Sequence, residues 1–364
     1  MDFALISSVF ETLRITPPSK LTLLEAQTLT LAHYPPFAPD MPVLLTGVDS
    51  SDLAFQVKKV LLAVYPQEHG VFVVDTGKMK EERLGDFGNG DFTTLTCLYI
   101  PSLGEGTSFE SFAEIVAHLR APDGCPWDKE QTHQTLRTHL LEEAYETLTA
   151  MDENDPAGMR EEFGDLLLQI VLNSQIGSET GEFSMTQVIK SIYDKIVRRH
   201  PHVFGDVELN SVDGVLQNWE KLKEKERKDK GMGKDEKGLL DGVASALPAL
   251  TQALEYQDRA ARVGFDWPEV DGVLDKVREE IEEIKQAQNL DEVTSELGDL
   301  FFVLVNLARW RKVDAESALR GTNMKFKKRF AYVEQGAKKQ GRNLSDMTLE
   351  EMDILWNEAK RTGR

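Results

Sequence analysis

Hydrophobic positions change their spacing near residue 106, and this change separates two kinds of structure along the chain. Before it, short apolar runs at 42–48, 70–76 and 92–100 predict β-strands. Residues 51–66 begin with Ser and Asp and carry apolar residues at helical spacing, so we expect a helix there. Long helical patterns follow. The pattern therefore predicts a mostly α protein with a small N-terminal α/β domain.

The helical patterns beyond this change predict a bundle of helices. The predicted helices cover 107–120, 132–151, 156–177, 185–199 and 211–228. Residues 166–172 are apolar nearly all round, as expected for a helix buried within a bundle. Residues 223–238 are dense in charge and lack an apolar period, so they predict a frayed helix end and a solvated linker rather than a nucleic-acid tail.

The helical pattern occurs twice. The strings GCPWD, LLEEAYE and EEFGDLLLQIVLN correspond to GFDWPE, VREEIEEI and SELGDLFFVLVN further along the chain. Both copies continue with Lys-x3-Arg and then Trp-x3-Lys. This internal duplication predicts an α/β domain at 1–105, helical domains at 106–228 and 246–364, and a linker at 229–245.

Each copy carries an acidic motif, Glu-Glu-x-x-Glu and then Glu-x-x-Asp, directly before an apolar run. The residues are Glu142, Glu143, Glu146, Glu162 and Asp165 in the first copy, and Glu279, Glu280, Glu283, Glu296 and Asp299 in the second. Residues three or four apart share a helix face, so two antiparallel helices would gather the carboxylates in one cleft. Burying unpaired carboxylates costs several kcal/mol each, so an inward cluster implies bound metal. The alternative is a solvated acidic stripe.

The ligand chemistry of these motifs favours a hard cation. Oxygen ligands without paired His or Cys select Mg²⁺ or Mn²⁺, and several carboxylates suffice for more than one ion. The sequence contains no Gly-x-x-x-x-Gly-Lys-Ser/Thr loop and no Gly-x-Ser-x-Gly elbow. These absences argue against a P-loop that holds phosphates and against a serine nucleophile. For phosphoryl chemistry at such a metal site, the predicted nucleophile is therefore water activated by metal and carboxylate.

Composition limits the partners and the location. The chain is 41% hydrophobic and 29% charged, and no apolar run reaches the ~18 residues that span a bilayer, so no membrane partner is expected. A net charge of −20 argues against nucleic acid as a partner. The two cysteines offer no disulfide framework and the start resembles no signal peptide, so we expect a cytoplasmic protein.

The full combination of motifs resembles the MazG nucleoside triphosphate pyrophosphohydrolases, with both copies of the family's domain over residues 106–364. The strings GCPWD, RRHPHVFGDV and RVGFDW also match family usage. The resemblance implies a duplicated all-α bundle, usually a homodimer, that releases pyrophosphate from nucleoside triphosphates with Mg²⁺, or with Mn²⁺ in its place. Where the family has two copies, the C-terminal one is the better supported catalyst, which here means Glu279, Glu280 and Glu283.

The resemblance also gives roles to basic and aromatic residues. Lys325 and Arg329 lie one helical turn apart and could grip the triphosphate, and Trp356 could stack on the base beside Lys360. Lys276 is a further phosphate candidate. The other reading is a solvated helix end and a core tryptophan. The corresponding residues in the first copy are Lys195, Arg199 and Trp219, but His139 replaces Lys276, which weakens the expectation of catalysis there.

The N-terminal region carries a second resemblance. Residues 33–74 resemble the C-terminal half of tetrapyrrole methylase domains. Residues 1–41 contain no glycine, so the glycine-rich cofactor-binding half of such a domain has no counterpart and we expect no methyl transfer. We expect the remaining segment to bury too little surface to be stable alone.

Together these observations predict hydrolysis of the α–β phosphoanhydride of nucleoside triphosphates, giving a nucleoside monophosphate and pyrophosphate. One alternative is a related all-α pyrophosphohydrolase of narrow specificity, for dUTP or phosphoribosyl-ATP. The other is a nucleotide-binding regulator whose copies have lost turnover.

Overall fold

A computed structural model describes residues 3–209 and 238–362, together with isolated positions between 211 and 226. The chain divides into two compact units, the first ending at Asp194 and the second beginning at Lys195. Most of the predicted helix at 211–228 and the first part of the predicted linker lie outside the described residues. The domain boundaries inferred from the duplication stay a prediction.

The first unit opens with a five-stranded sheet. Its elements are α1 (Phe3–Leu13), β1 (Thr22–Glu25), β2 (Val43–Thr46), α2 (Ser51–Leu61), β3 (Gly70–Asp75), β4 (Lys78–Arg83) and β5 (Cys97–Ile100). The strand order is β1-β2-β5-β3-β4, with β1 parallel to β2 and the other pairs antiparallel. One core cluster joins α2 to the sheet through Leu45, Leu61 and Leu98, and another joins α1 through Phe10 and Leu44.

These two clusters bury many side chains completely within the full chain. The expectation that the N-terminal segment is not stable alone stays a prediction. Two strands were missed in the sequence: β1, which is short, and β4, whose Lys and Glu side chains are typical of an edge strand. The strand expected at 92–100 begins only at Cys97. Before it, the Thr96 N–H donates to the Thr93 carbonyl at 2.9 Å and closes a turn. The hydroxyls of Thr93 and Thr96 also donate to Asp75 Oδ2, at 2.9 and 2.8 Å.

The remainder of the described chain is helical, which confirms the predicted fold class. The helices are α3 (Phe109–Arg120), α4 (Pro126–Glu130), α5 (Leu136–Glu153), α6 (Pro156–Thr180), α7 (Met185–Arg199), α8 (Pro201–Phe204), α9 (Ala249–Ala261), α10 (Val270–Gln286), α11 (Leu290–Trp310), α12 (Ala315–Lys339) and α13 (Leu349–Arg361). Within the described residues, no helix combines the length and apolar character needed to cross a bilayer.

Each copy of the repeat is centred on a helical hairpin. In the first, α5 ends at Glu153 and is capped by Asn154 in the left-handed conformation, with φ 53°, and α6 starts at Pro156 under an Asp155 cap. In the second, α10 and α11 are separated by three residues, and Asn289 caps α11 by accepting from Glu292 N at 2.9 Å. Such short connections make each helix pair antiparallel.

The apolar helix faces are only partly covered, contrary to the expectation that residues 166–172 are buried all round. Val171 and Leu172 are buried, whereas Ile170 is 45% exposed. In the second copy Phe301 is 57% exposed and Phe302 is 43% exposed. In the described structure, α6 and α11 therefore each carry both buried and exposed apolar side chains.

Candidate metal centres

The two hairpins bring acidic side chains together at corresponding places. In the second copy, Glu280 and Glu283 lie one turn apart on α10 and face Glu296 on α11. One carboxylate oxygen from each of the three lies within 4.8 Å of the others. We call this group the second cluster. Separations of this size suit shared ligation of a cation by carboxylates.

The first copy repeats the arrangement. Glu143 and Glu146 on α5 and Glu162 on α6 likewise offer one oxygen each within 4.8 Å. We call this group the first cluster. The sequence predicted the convergence of both groups from the helical period.

Each cluster contains a buried carboxylate oxygen that lacks a hydrogen-bond donor. Among the described residues, neither Glu280 Oε2 nor Glu162 Oε2 has a partner. Glu280 is only 2% exposed. An unpaired carboxylate oxygen in a buried position is costly unless a cation or a donor satisfies it. These acidic oxygens therefore fit a hard divalent cation.

Raised pKa values in both clusters also favour a bound cation. Burial, followed by the charges of Glu283, Glu280 and Asp299, raises the pKa of Glu296. Burial and the charge of Asp165, ahead of Glu146 and Glu142, raise the pKa of Glu143. Carboxyl groups that resist ionisation because of their acidic neighbours are groups that a divalent cation would stabilise.

Not every predicted ligand joins the clusters. Asp165 and Asp299 lie outside the 4.8 Å groups, although their charges act on Glu143 and Glu296. Glu142 and Glu279 are exposed, also outside these groups, and each pairs with a residue of its own helix. The assignment of all ten acidic residues as ligands stays a prediction.

The copies differ in the basic residue one turn before the acidic motif. Lys276 Nζ lies 2.8 Å from Glu279 Oε1 and 2.6 Å from Glu280 Oε1. These hydrogen bonds raise the pKa of Lys276, so its ammonium stays charged. In the first copy, His139 Nδ1 lies 3.3 Å from Glu142 Oε2. The lysine predicted to contact phosphate thus contacts the acidic motif itself.

The predicted substrate residues of the second copy form an aromatic and basic group. The guanidinium carbon of Arg329 lies 5.8 Å from the ring centre of half-buried Trp356, a cation–π contact. Phe326 packs against the same ring at 5.2 Å. Lys325 and Lys360 are exposed. Phe326 was missed in the sequence, although its four-residue spacing to Phe330 is a signal for a shared helix face.

The first copy has a comparable pair. The Arg199 guanidinium lies 5.9 Å from the ring of Trp219, and Arg199 Nη2 lies 2.7 Å from Glu226 Oε2. Arg199 and then Arg198 lower the pKa of Glu226 to about 2. Sequence reasoning missed Glu226, because it lies within a stretch dense in charged residues. Lys195 is exposed at the start of the second unit.

Two acidic helical hairpins in one chain, each with three converging carboxylates, define a duplicated helical protein with candidate sites for a hard cation. The sequence profile described as the MazG nucleotide pyrophosphohydrolase domain matches residues 131–204 and 270–333. Both matches include the acidic helices.

Similarity to individual proteins extends further along the chain. The uncharacterized protein YabN of Bacillus subtilis is 40% identical over 99% of this chain and 75% of its own length. The nucleoside triphosphate pyrophosphohydrolase/pyrophosphatase MazG of Thermotoga maritima is 41% identical over 70% of this chain and 96% of its own. The nucleoside triphosphate pyrophosphohydrolase of Escherichia coli K12 is 42% identical over 68% of this chain and 95% of its own length.

This chain therefore belongs to the MazG family of nucleotide pyrophosphohydrolases. The predicted family and the predicted enzyme class, a hydrolase acting on phosphoanhydrides, are confirmed. The resemblance of residues 33–74 to tetrapyrrole methylases stays a prediction.

Proposed function

We propose that this protein hydrolyses nucleoside triphosphates to nucleoside monophosphate and pyrophosphate at the second cluster. The observation that carries the proposal is the convergence of Glu280, Glu283 and Glu296, of which Glu280 is buried with one unpaired oxygen. The activity in the names of the relatives from Thermotoga maritima and Escherichia coli supports the substrate class.

The ion of this site is proposed to be Mg²⁺, with Mn²⁺ as a substitute, because all the converging ligands are carboxylates. Glu280, Glu283 and Glu296 would hold it, with Asp299 adding negative charge at the edge. When bound, such an ion neutralises phosphate oxygens and acidifies a water molecule.

The chain's own residues would orient the water and the substrate. Glu279 is exposed beside the second cluster and outside its 4.8 Å group, so we assign its carboxylate to accept the proton of the attacking water. Lys325 and Arg329 are proposed to bind the triphosphate and Trp356 the base, with Lys360 at the rim. Arg329 is held above Trp356 at 5.8 Å, which would keep the guanidinium oriented.

The second copy is proposed to be the main catalyst. It combines the acidic motif with Lys276, where the first copy has His139. The first cluster is proposed as a metal site of lower turnover, and the substrate roles of Lys195, Arg199 and Trp219 stay a prediction from the sequence.

The active form is proposed to be a homodimer. Exposed apolar side chains on α11 support this, because Phe301 and Leu304 are about half exposed in the single chain. Apolar surface of this kind on a helical hairpin is typically covered by a further helix pair.

Pyrophosphate release from a panel of nucleoside triphosphates tests the proposal. Wild-type protein should release one pyrophosphate per monophosphate with Mg²⁺, and chelation of the metal should stop it. For changes to Glu280 and Glu283, the matched control is Glu282→Gln. Glu282 lies on the same helix but is exposed and pairs with Lys285 at 3.0 Å. Turnover of dUTP or phosphoribosyl-ATP alone would favour a narrow-specificity enzyme. Release of orthophosphate instead of pyrophosphate would contradict the proposal.

A further inference from the structure

Lys276 places a positive charge on the second cluster. Its Nζ is within hydrogen-bond distance of one oxygen from Glu279 and one from Glu280, at 2.8 and 2.6 Å. The Glu280 side chain is almost fully buried, whereas the Lys276 side chain remains 32% exposed. The ammonium therefore reaches the buried carboxylate from the solvent side.

We infer that Lys276 is a positioning residue that couples metal binding to triphosphate binding at the second cluster. Its ammonium competes with a divalent ion for Glu279 and Glu280, and it moves to phosphate oxygens when the substrate arrives. The inference rests on the proposed function, since it requires this cluster to hold the metal.

The physical reason is competition between cations. A divalent ion and an ammonium that share Glu280 repel each other, so the ion binds weakly while Lys276 stays in place. Lysine is a compact charge on a flexible four-carbon stem, and phosphate oxygens offer it an equivalent anionic partner. Triphosphate should therefore draw Lys276 away from the carboxylates and tighten metal binding. By the same coupling, bound metal should tighten the binding of triphosphate.

The first copy provides an internal contrast. His139 pairs with Glu142, which lies outside the first cluster, and acts on Glu143 only as a neighbouring charge. No described contact places a lysine on Glu143, Glu146 or Glu162 as Lys276 is placed on Glu280. Metal binding at the first cluster should therefore depend less on nucleotide.

Calorimetric titration of Mn²⁺ into the full, chelator-treated chain tests this inference. All proteins carry Glu143→Gln, Glu146→Gln and Glu162→Gln, so that only the second cluster is measured. Lys276→Met is compared with the matched control Lys285→Met, because Lys285 pairs with exposed Glu282 on the same helix. Each titration is repeated with a triphosphate analogue that carries a non-hydrolysable α–β bridge.

Without nucleotide, Lys276→Met should bind Mn²⁺ about tenfold more tightly than its parent, whereas Lys285→Met should match the parent. The analogue should tighten Mn²⁺ binding in the parent and do so much less in Lys276→Met. Lys276→Arg keeps the charge and should retain weak binding in the absence of nucleotide. Lys276→Gln, which keeps a donor for Glu280, gives the same comparison if the methionine variant does not fold.

Equal Mn²⁺ affinity in Lys276→Met, Lys276→Gln and the parent would overturn the inference and leave the proposed function intact. Absence of Mn²⁺ binding from the parent, with and without the analogue, would overturn the proposed function itself.

Discussion

Removal of the divalent ion should lower the thermal stability of the second unit, because its carboxylates then repel one another without compensation. Glu280→Gln is the most informative perturbation. It keeps the shape of the side chain and leaves an amide oxygen that can accept from Lys276, which lies 2.6 Å from Glu280 Oε1. It also removes the single buried negative charge of the second cluster. The variant should fold without metal but lose the response to it.

The size of the response follows from linkage. An ion that binds only the folded state at one hundred times its dissociation constant adds about 2.7 kcal/mol of stability. The second unit covers residues 195–364, and for units of about 150–250 residues 1 kcal/mol shifts Tm by about 2–4 °C. We therefore expect saturating Mg²⁺ to raise Tm by about 5–11 °C.

Differential scanning calorimetry in a Glu143→Gln, Glu146→Gln and Glu162→Gln background isolates the second cluster. The Tm should rise with Mg²⁺ in this background and in the Glu282→Gln control, and should stay constant after Glu280→Gln. A Tm indifferent to Mg²⁺ before Glu280 is changed would refute the inward metal cluster, and an undiminished rise afterwards would refute the role of Glu280.

Three further predictions concern charge, assembly and thiol reactivity. Burial and acidic neighbours raise the pKa of Glu296 and Glu143 in the folded state. The metal-free protein should therefore gain stability as pH falls through these raised pKa values towards the ordinary pKa of glutamate. Thermal scans in chelator that show a loss of stability over this interval would contradict the prediction. Phe301→Asp should convert the proposed dimer to monomer in sedimentation analysis, unlike Lys285→Met. Burial raises the pKa of Cys97 to about 11, so iodoacetamide should label half-buried Cys125 in the native protein and spare Cys97.

Local periodicity was sufficient for most helices. The expected helix at 185–199 has those bounds in the structure, and the acidic hairpins follow from motifs at helical spacing placed on either side of a short loop. Strand ends were harder to predict from the sequence, because the turn before Cys97 also contacts Asp75, a residue distant in sequence that accepts from Thr93 and Thr96.

Two features of the site lay beyond sequence reasoning for different reasons. The exposure of Phe301 depends on which neighbours cover its helix, and an apolar run looks the same whether those neighbours belong to the same chain or not. The contact of Lys276 with Glu279 and Glu280 is compatible with its three- and four-residue spacing. A lysine near an acidic motif can serve carboxylate or phosphate equally, so the pattern alone did not decide between them.

The most direct test of the account is pyrophosphate release measured side by side for three proteins in Mg²⁺. Glu280→Gln with Glu283→Gln should abolish release, Glu143→Gln with Glu146→Gln should leave a substantial fraction, and Glu282→Gln should match wild type. The assignment of catalysis to the second cluster would be contradicted if Glu143→Gln with Glu146→Gln released no pyrophosphate while Glu280→Gln with Glu283→Gln still did.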